Sequence, residues 1–421
     1  MKGPIVLVLL GLGTAAVRAD DEAPLTLADA QAEARAHAPD VDALDIRVAG
    51  IEAIARDKRR RLRTDPELSA SYASGAAGGD AGEQSVGLGI AWTLDLSGAW
   101  RDSRHAADAD RDRAGASRDD GLAAVDEGVA LAVADLAHAQ RQLERAEKIV
   151  GLQQTTRDAA ARLLASSEGT QLDVDAAELD LAAASADREA ARADRERAQI
   201  ALARRLGREE HAALVVADPI DDASAPSVAD LDVLVDADPR VRAADAAARS
   251  ARFEQQAADR STWKSVTFGL DVDYARHDIP EGSFAGDGTL GAAWQDWEIG
   301  VRLGVPLPLF DRRHESRTRA RAQVSDVVAD AAVVRADVLA ELKTAAAELR
   351  GAVDVWNALA ATGETIDREY DLLDKAFRAG ALDVNARAQS ARRLVEAGAR
   401  LDVALRDLRV ARARWIRRTT R

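Results

Sequence analysis

The chain has no cysteine among its 421 residues. Disulfides, thiolate metal sites, a cysteine nucleophile and the lipidated cysteine of a lipoprotein are all excluded. Aromatic residues are scarce, at 4%. With Ala, Arg, Asp and Leu dominant, this composition suits long helices packed through small side chains, not a bulky core. Positive charge is in deficit: 57 Lys and Arg against 72 Asp and Glu leave a formal net charge of −15. Nucleic-acid binders carry basic stripes, so no nucleic acid is expected as partner. The charge also argues against an anionic inner-membrane surface as the main partner. Beyond the N-terminus, no apolar run approaches the roughly 20 residues of a membrane helix. Insertion in a membrane would have to use strands.

Chemistry is missing in the same way. The six histidines, His37, His105, His138, His211, His277 and His314, are dispersed, and no pair has ligand spacing on a helix. No metal or cofactor is expected. There is no phosphate-binding loop, nucleophile elbow or carboxylate pair in a catalytic context, so no enzyme is expected.

What is present begins with a targeting signal. Lys2 precedes an apolar run from Ile5 to Val17, and Val17-Arg18-Ala19 resembles a small-x-small cleavage site. The run is too short to span a bilayer and fits a secretory signal peptide over residues 1–19.

Four segments then alternate apolar and polar residues. Val86, Leu88, Ile90, Trp92, Leu94 and Leu96 alternate with Ser85, Gly87, Gly89, Ala91, Thr93 and Asp95. Leu68, Ala70 and Tyr72 form a shorter run. Val266, Phe268, Leu270, Val272 and Tyr274 alternate with Thr267, Gly269, Asp271 and Asp273. Trp297, Ile299, Val301, Leu303 and Val305 alternate with Glu298, Gly300, Arg302 and Gly304. Period two with one apolar face is the pattern of transmembrane β-barrel strands. It predicts strands at about 67–74, 85–97, 265–276 and 295–309. Their polar faces would place Asp95, Asp271, Asp273, Glu298 and Arg302 in a lumen. Trp92, Trp100, Trp263, Trp294 and Trp297 lie at or near the strand ends, where a membrane girdle would sit.

The chain reads as a duplication. His37-Ala38-Pro39-Asp40-Val41 recurs as Ala237-Asp238-Pro239-Arg240-Val241, and Gly169-Thr170-Gln171-Leu172-Asp173-Val174 is echoed by Gly380-Ala381-Leu382-Asp383-Val384. The first repeat covers residues 20–220 and the second 221–421. Each predicts a helix of about 25 residues after the proline, then two strands, then two long helices. These helices are expected at about 100–164, 172–206, 312–378 and 382–418. At 1.5 Å per residue the longest would reach roughly 100 Å, softened by Gly115, Gly121, Gly128 and Gly151. Their apolar positions recur at three and four, as in Val125, Val129, Ala132, Val133 and Leu136, or Leu394, Leu401, Leu405 and Leu408. Such narrow stripes mean coiled-coil-like packing with polar faces on water. The fold class is mainly α with a small β part. Four strands cannot close a barrel, and lipid does not tolerate open edges. The smallest membrane barrels have about eight strands, so at least two chains must pool theirs. Two chains or three satisfy that count.

Leu25-Thr26-Leu27-Ala28-Asp29-Ala30, followed by His37-Ala38-Pro39, resembles the opening of outer-membrane efflux proteins of the TolC family. Gly304-Val305-Pro306-Leu307-Pro308-Leu309-Phe310-Asp311-Arg312-Arg313 resembles that family's strand-to-helix passage, in particular its heavy-metal CzcC-like branch. Trp92-Thr93-Leu94-Asp95-Leu96-Ser97-Gly98 sits at the first-half counterpart. The resemblance implies a homotrimer, with a 12-stranded transmembrane β-barrel continuous with an α-barrel of the duplicated helix hairpins. It implies the outer membrane of a Gram-negative bacterium, with a large periplasmic portion. The protein would be the passive exit duct of a tripartite pump, joined through a periplasmic adaptor to an inner-membrane transporter. It implies that Gly169, Leu172, Asp173, Gly380, Leu382 and Asp383 form the periplasmic tip that meets the adaptor. Asp383 would also be the gate candidate, with Arg378 and Arg387 as neighbours to pair it. Ala386 stands where family members often carry a second aspartate. Metal cations are the expected cargo. The alternatives are a duct for type I protein secretion or drug export, and a periplasmic coiled-coil scaffold that is not a channel.

Overall fold

The computed structural model describes residues 24–59, 65–77, 81–94, 97–209, 214–217, 231–260, 266–278, 294–305, 314–379 and 384–419. The signal segment 1–19, Asp95, Trp263, Gly380, Leu382 and Asp383 lie outside these residues, as do Pro306 and Pro308. The elements are α1 (Leu27–His37), α2 (Pro39–Lys58), β1 (Glu67–Ala77), β2 (Ala81–Leu94), α3 (Ala99–Ala165), α4 (Gln171–Leu206), α5 (Leu231–Ala237), α6 (Pro239–Arg260), β3 (Val266–Asp278), β4 (Trp294–Gly304), α7 (His314–Arg378) and α8 (Val384–Thr419). The fold is mostly helical with one small sheet.

Two compact units divide the chain. One takes the described residues within Met1–Asp42, Leu122–Ala229 and Leu342–Thr420; the other takes those within Ala43–Gly121 and Asp230–Glu341. Each unit draws on both halves of the sequence.

The second unit holds the sheet, antiparallel throughout, in the order β1-β2-β3-β4. Its register confirms the alternation and extends it. The β1–β2 ladder runs from Glu67↔Ala91 to Ala77↔Ala81. That is past the point where alternation stops, because backbone pairing continues through Gly75, Ala76 and Ala77 without needing an apolar face. Strand β4 is described as far as Gly304, and residues 306–309 of the predicted strand lie outside the described residues. Among the described residues, helices α2 and α6 are 20 and 22 residues long. Near the sheet, ion pairs tie α2 and α6 to the start of α3, among them Arg118–Asp45 at 2.6 Å and Arg260–Asp102 at 3.0 Å.

The first unit is helical. Helix α3 is 67 residues long and runs unbroken through Gly115, Gly121, Gly128 and Gly151, so these glycines do not soften it. The predicted stripe packs: Val125, Val129, Val133 and Leu136 are buried with Ala30 and Ala34 of α1 and Leu202 and Leu206 of α4. A parallel bridge, Leu25↔Val216, lays the link after α4 beside the chain's start, and Val216 joins that cluster. A second cluster joins α7 to α8 through Leu349, Val353, Trp356, Leu405 and Leu408. Alanine fills most of the remaining seams, so the backbones approach closely where few bulky residues are available.

Candidate functional site

The sheet separates its residues into two faces of opposite chemistry. On one face, register aligns Leu68, Ile90, Leu270 and Val301 in one row and Ala70, Leu88, Val272 and Ile299 in the next. Most large side chains of this face are exposed, Ile299 to 71%, while Val272 and Tyr274 are half-buried. Aromatics mark its two ends. Trp92 aligns with Phe268 and Leu303. Tyr72 aligns with Val86, Tyr274 and Trp297. The Tyr274 and Trp297 rings lie 5.0 Å apart. Six residues separate the two rows along β2, which is roughly 20 Å of strand.

The opposite face gathers Ser69, Gly89, Asp271 and Gly300 in one row and Ser71, Gly87, Asp273 and Glu298 in the next. Arg302 reaches Asp271 at 3.7 Å. Thus Asp271, Asp273, Glu298 and Arg302 share one face, as the alternation predicts. Two glycines there lie directly beneath polar side-chain tips. A Cβ at Gly87 would strike the Asp273 carboxylate and the Ser71 hydroxyl, and one at Gly300 would strike Asp271. The polar face is therefore built of small residues with carboxylates folded over them. Both β1 and β4 leave one side unpaired among the described residues.

The predicted girdle residues fall differently. Trp92 and Trp297 are exposed on the apolar face. Trp294 opens β4 opposite His277. Trp100 is not on a strand: it lies in the first turn of α3, half-buried, with the Arg101 guanidinium 5.5 Å from its ring centre.

At the other candidate site, α3 turns into α4 through a Schellman motif. The Glu168 N–H donates to Leu163 O at 2.9 Å and the Ser167 N–H to Leu164 O at 3.0 Å. The left-handed residue this motif requires is Ser167, at φ 64°, and not the glycine the sequence suggests. Gly169 serves close packing instead: a Cβ there would lie 3.0 Å from that of Leu163. Ser167→Gly is expected to stabilise the protein by about 1 kcal/mol, because only glycine adopts this φ without steric cost. A higher midpoint in thermal melting checks it.

Thr170 then caps α4. Its hydroxyl oxygen accepts the Asp173 N–H at 3.3 Å, while the Asp173 carboxylate accepts the Thr170 N–H at 3.1 Å and its O–H at 2.7 Å. This capping box satisfies two orphan helix donors. The Thr170 side chain, then its backbone N–H, hold the Asp173 carboxyl below its ordinary value. Since the folded value is depressed, the box contributes stability above the usual carboxylate range near pH 4 and loses it as pH falls through the folded value. In acid-protease cleavage, the wild-type turn is expected to become as labile as the Asp173→Asn turn at low pH, and to be the more resistant at pH 5. Leu172 follows the cap and is 77% exposed.

Nearby, Arg387 is drawn inside the unit. It is 1% exposed, donates to Thr155 of α3 at 2.8 Å, pairs with Asp374 of α7 at 3.2 Å, and stacks 3.9 Å from the Phe377 ring. Farther along, Asp402 of α8 is 4% exposed and holds Arg145 of α3 at 2.8 Å, with Arg141 at 4.0 Å. The Arg145 guanidinium lies against the backbone of Gly398, where any side chain would collide with it. Burial lowers the pKa of His138 beside this cluster. The burial of Arg387 and Asp402 has no signal in the sequence, because each sits among many similar Arg and Asp residues. Among the described residues, no group of three or more His, Asp or Glu side chains is arranged to hold a metal ion. No described helix is long and apolar enough to cross a membrane.

The fold is shared with several solved structures of outer-membrane proteins. The solved outer-membrane channel OprN shares it at a TM-score of 0.73 and 20% identity, over 93% of this chain and 89% of that one. CusC, a transmembrane channel, shares it at 0.72 and 16%, over 93% and 91%. The outer membrane protein VceC of Vibrio cholerae does so at 0.71 and 17%, over 93% and 95%. In sequence, residues 30–208 match the family described as outer membrane efflux protein. No curated protein sequence matches the chain.

Proposed function

We propose that this chain is the subunit of an outer-membrane efflux channel, a non-catalytic duct across the periplasm and outer membrane. The observation that carries the reading is the sheet. Its apolar face is too large and contiguous for water, and its open edges cannot be left in lipid. Pooling the strands of several copies resolves both conflicts. A homotrimer with a 12-stranded barrel agrees with the TolC-family resemblance and with the match to the efflux protein family. The apolar face then meets outer-membrane lipid, and Asp271, Asp273, Glu298 and Arg302 line the lumen. The 166–170 turn and the segment bearing Gly380, Leu382 and Asp383 form the tip toward a periplasmic adaptor and inner-membrane transporter, with Asp383 at the gate.

Metal cations are the cargo this reading favours. The acidic balance of the polar sheet face supports it, with Glu67, Asp271, Asp273, Asp296 and Glu298 on the same face as Arg302, together with the CzcC-like strand-to-helix passage. Deleting the gene is expected to sensitise the host to heavy-metal salts. Sensitivity confined to dyes and antibiotics would replace metal export with drug export, and leave the duct standing.

A further inference from the structure

Where the helices of the second unit lead to the strands, the charge runs against the balance of the chain. Within about two turns of those ends, α2 closes on Arg56, Asp57 and Lys58, followed by Arg59, and α3 opens with Arg101, Asp102 and Arg104. Helix α6 closes on Asp259 and Arg260, and α7 opens with Glu315, Arg317, Arg319 and Arg321. Glu52 of α2 and Glu254 of α6 complete the acids of these turns. Bases outnumber acids here, although the whole chain carries a formal net charge of −15.

Burial then sorts the two signs. Asp102 is 4% exposed and takes Arg260 at 3.0 Å. Asp108 takes Arg59 at 2.8 Å, and Asp259 takes Arg317 at 3.4 Å and Arg321 at 3.7 Å. These pairs fasten α2 to α3, α3 to α6 and α6 to α7. Arg59, Arg260 and Arg321 are each more exposed than the carboxylate that holds them. Arg101 and Arg104 are exposed, and neither meets a carboxylate within ion-pair distance among the described residues. Arg101 lies instead over the half-buried ring of Trp100. A tryptophan with a guanidinium on its face suits a boundary between lipid and water. On the sheet, the apolar face ends on this side with the rows Trp92, Phe268, Leu303 and Leu94, Val266. The positive charge begins where that face stops.

We infer that this collar of helix ends holds the phosphates of anionic phospholipids, with Arg101 and Arg104 as its principal contacts. The inference rests on the outer-membrane channel proposed above, which places the collar at the periplasmic leaflet. An apolar face bounded by arginines without carboxylate partners matches a bilayer whose tails end, and whose phosphates begin, at that level. Each such arginine close to an anionic surface favours it by roughly five-fold, and salt screens the attraction.

The test uses the full chain reconstituted in vesicles of phosphatidylcholine. Spin-labelled phosphatidylglycerol and spin-labelled phosphatidylcholine are compared for the fraction immobilised on the protein, and flotation measures incorporation. Wild type is expected to prefer the anionic lipid by about five-fold. Arg101→Gln with Arg104→Gln is expected to bring the ratio close to one, whereas Arg101→Lys with Arg104→Lys retains it. Arg188→Gln, exposed on α4 in the other unit, is expected to change nothing. In wild type, salt of about 0.5 M is expected to lower the ratio as the glutamines do. A wild-type ratio near one, or one indifferent to salt, overturns the collar as a lipid site. A preference that survives both glutamines overturns the role of Arg101 and Arg104. A protein that does not float with the vesicles overturns the channel reading itself, on which the collar depends.

Discussion

Replacing Ile299 with arginine is expected to remove the protein from the outer membrane. Ile299 is central on the apolar sheet face, in the row Ala70, Leu88, Val272, Ile299, and is 71% exposed among the described residues. An arginine facing lipid near the midplane costs about 2–4 kcal/mol, and a trimer would incur it in each copy, about 6–12 kcal/mol in all. That is comparable to the whole stability of a typical domain. Glu298→Arg, one residue away and on the polar face, provides the contrast: it changes the lumen charge and is expected to leave the amount in the outer membrane near wild type. Equal loss in both variants would show that the two faces do not differ in environment. Quantitative immunoblotting of the outer-membrane fraction reads both.

Asp402→Ala is expected to be the most damaging single change in the helical unit. Asp402 is the buried partner of Arg145 and Arg141, two guanidiniums that are themselves largely enclosed. Removing one member of a buried ion pair costs about 3–5 kcal/mol, chiefly because the remaining charge is left without compensation. The exposed pair Arg319–Glu315, at 2.8 Å on α7, is the control. Removing it is expected to cost no more than about 0.5 kcal/mol. Denaturant unfolding followed by helical circular dichroism separates the two. An Asp402→Ala midpoint equal to that of the surface control would mean that the cluster is solvated.

The sheet was legible because its cause is local. A strand with lipid on one side and water on the other writes its two faces into every second residue, and Leu270 against Asp271 is enough to set the phase. The strand ends were not, since Gly75, Ala76 and Ala77 pair by backbone alone. Long helices were legible from three-four spacing, and the packed stripe through Val129 and Leu136 was among them. The turn before α4 misled in another way. Gly169 is the expected left-handed residue, yet Ser167 takes that role, a choice fixed by where α3 stops. Burial of Arg387 and Asp402 left no sequence signal at all, since burial of a charge is decided by helices far away in the chain.

The central claim is that the apolar sheet face lies in the outer membrane, and one measurement addresses it directly. The native protein is separated by density-gradient fractionation of envelopes, followed by alkaline carbonate extraction of the outer-membrane band. The account predicts that the protein sediments with that band, resists carbonate and is released only by detergent. Recovery in the soluble periplasm without detergent would contradict it, and would turn the long helices into a scaffold instead of a duct.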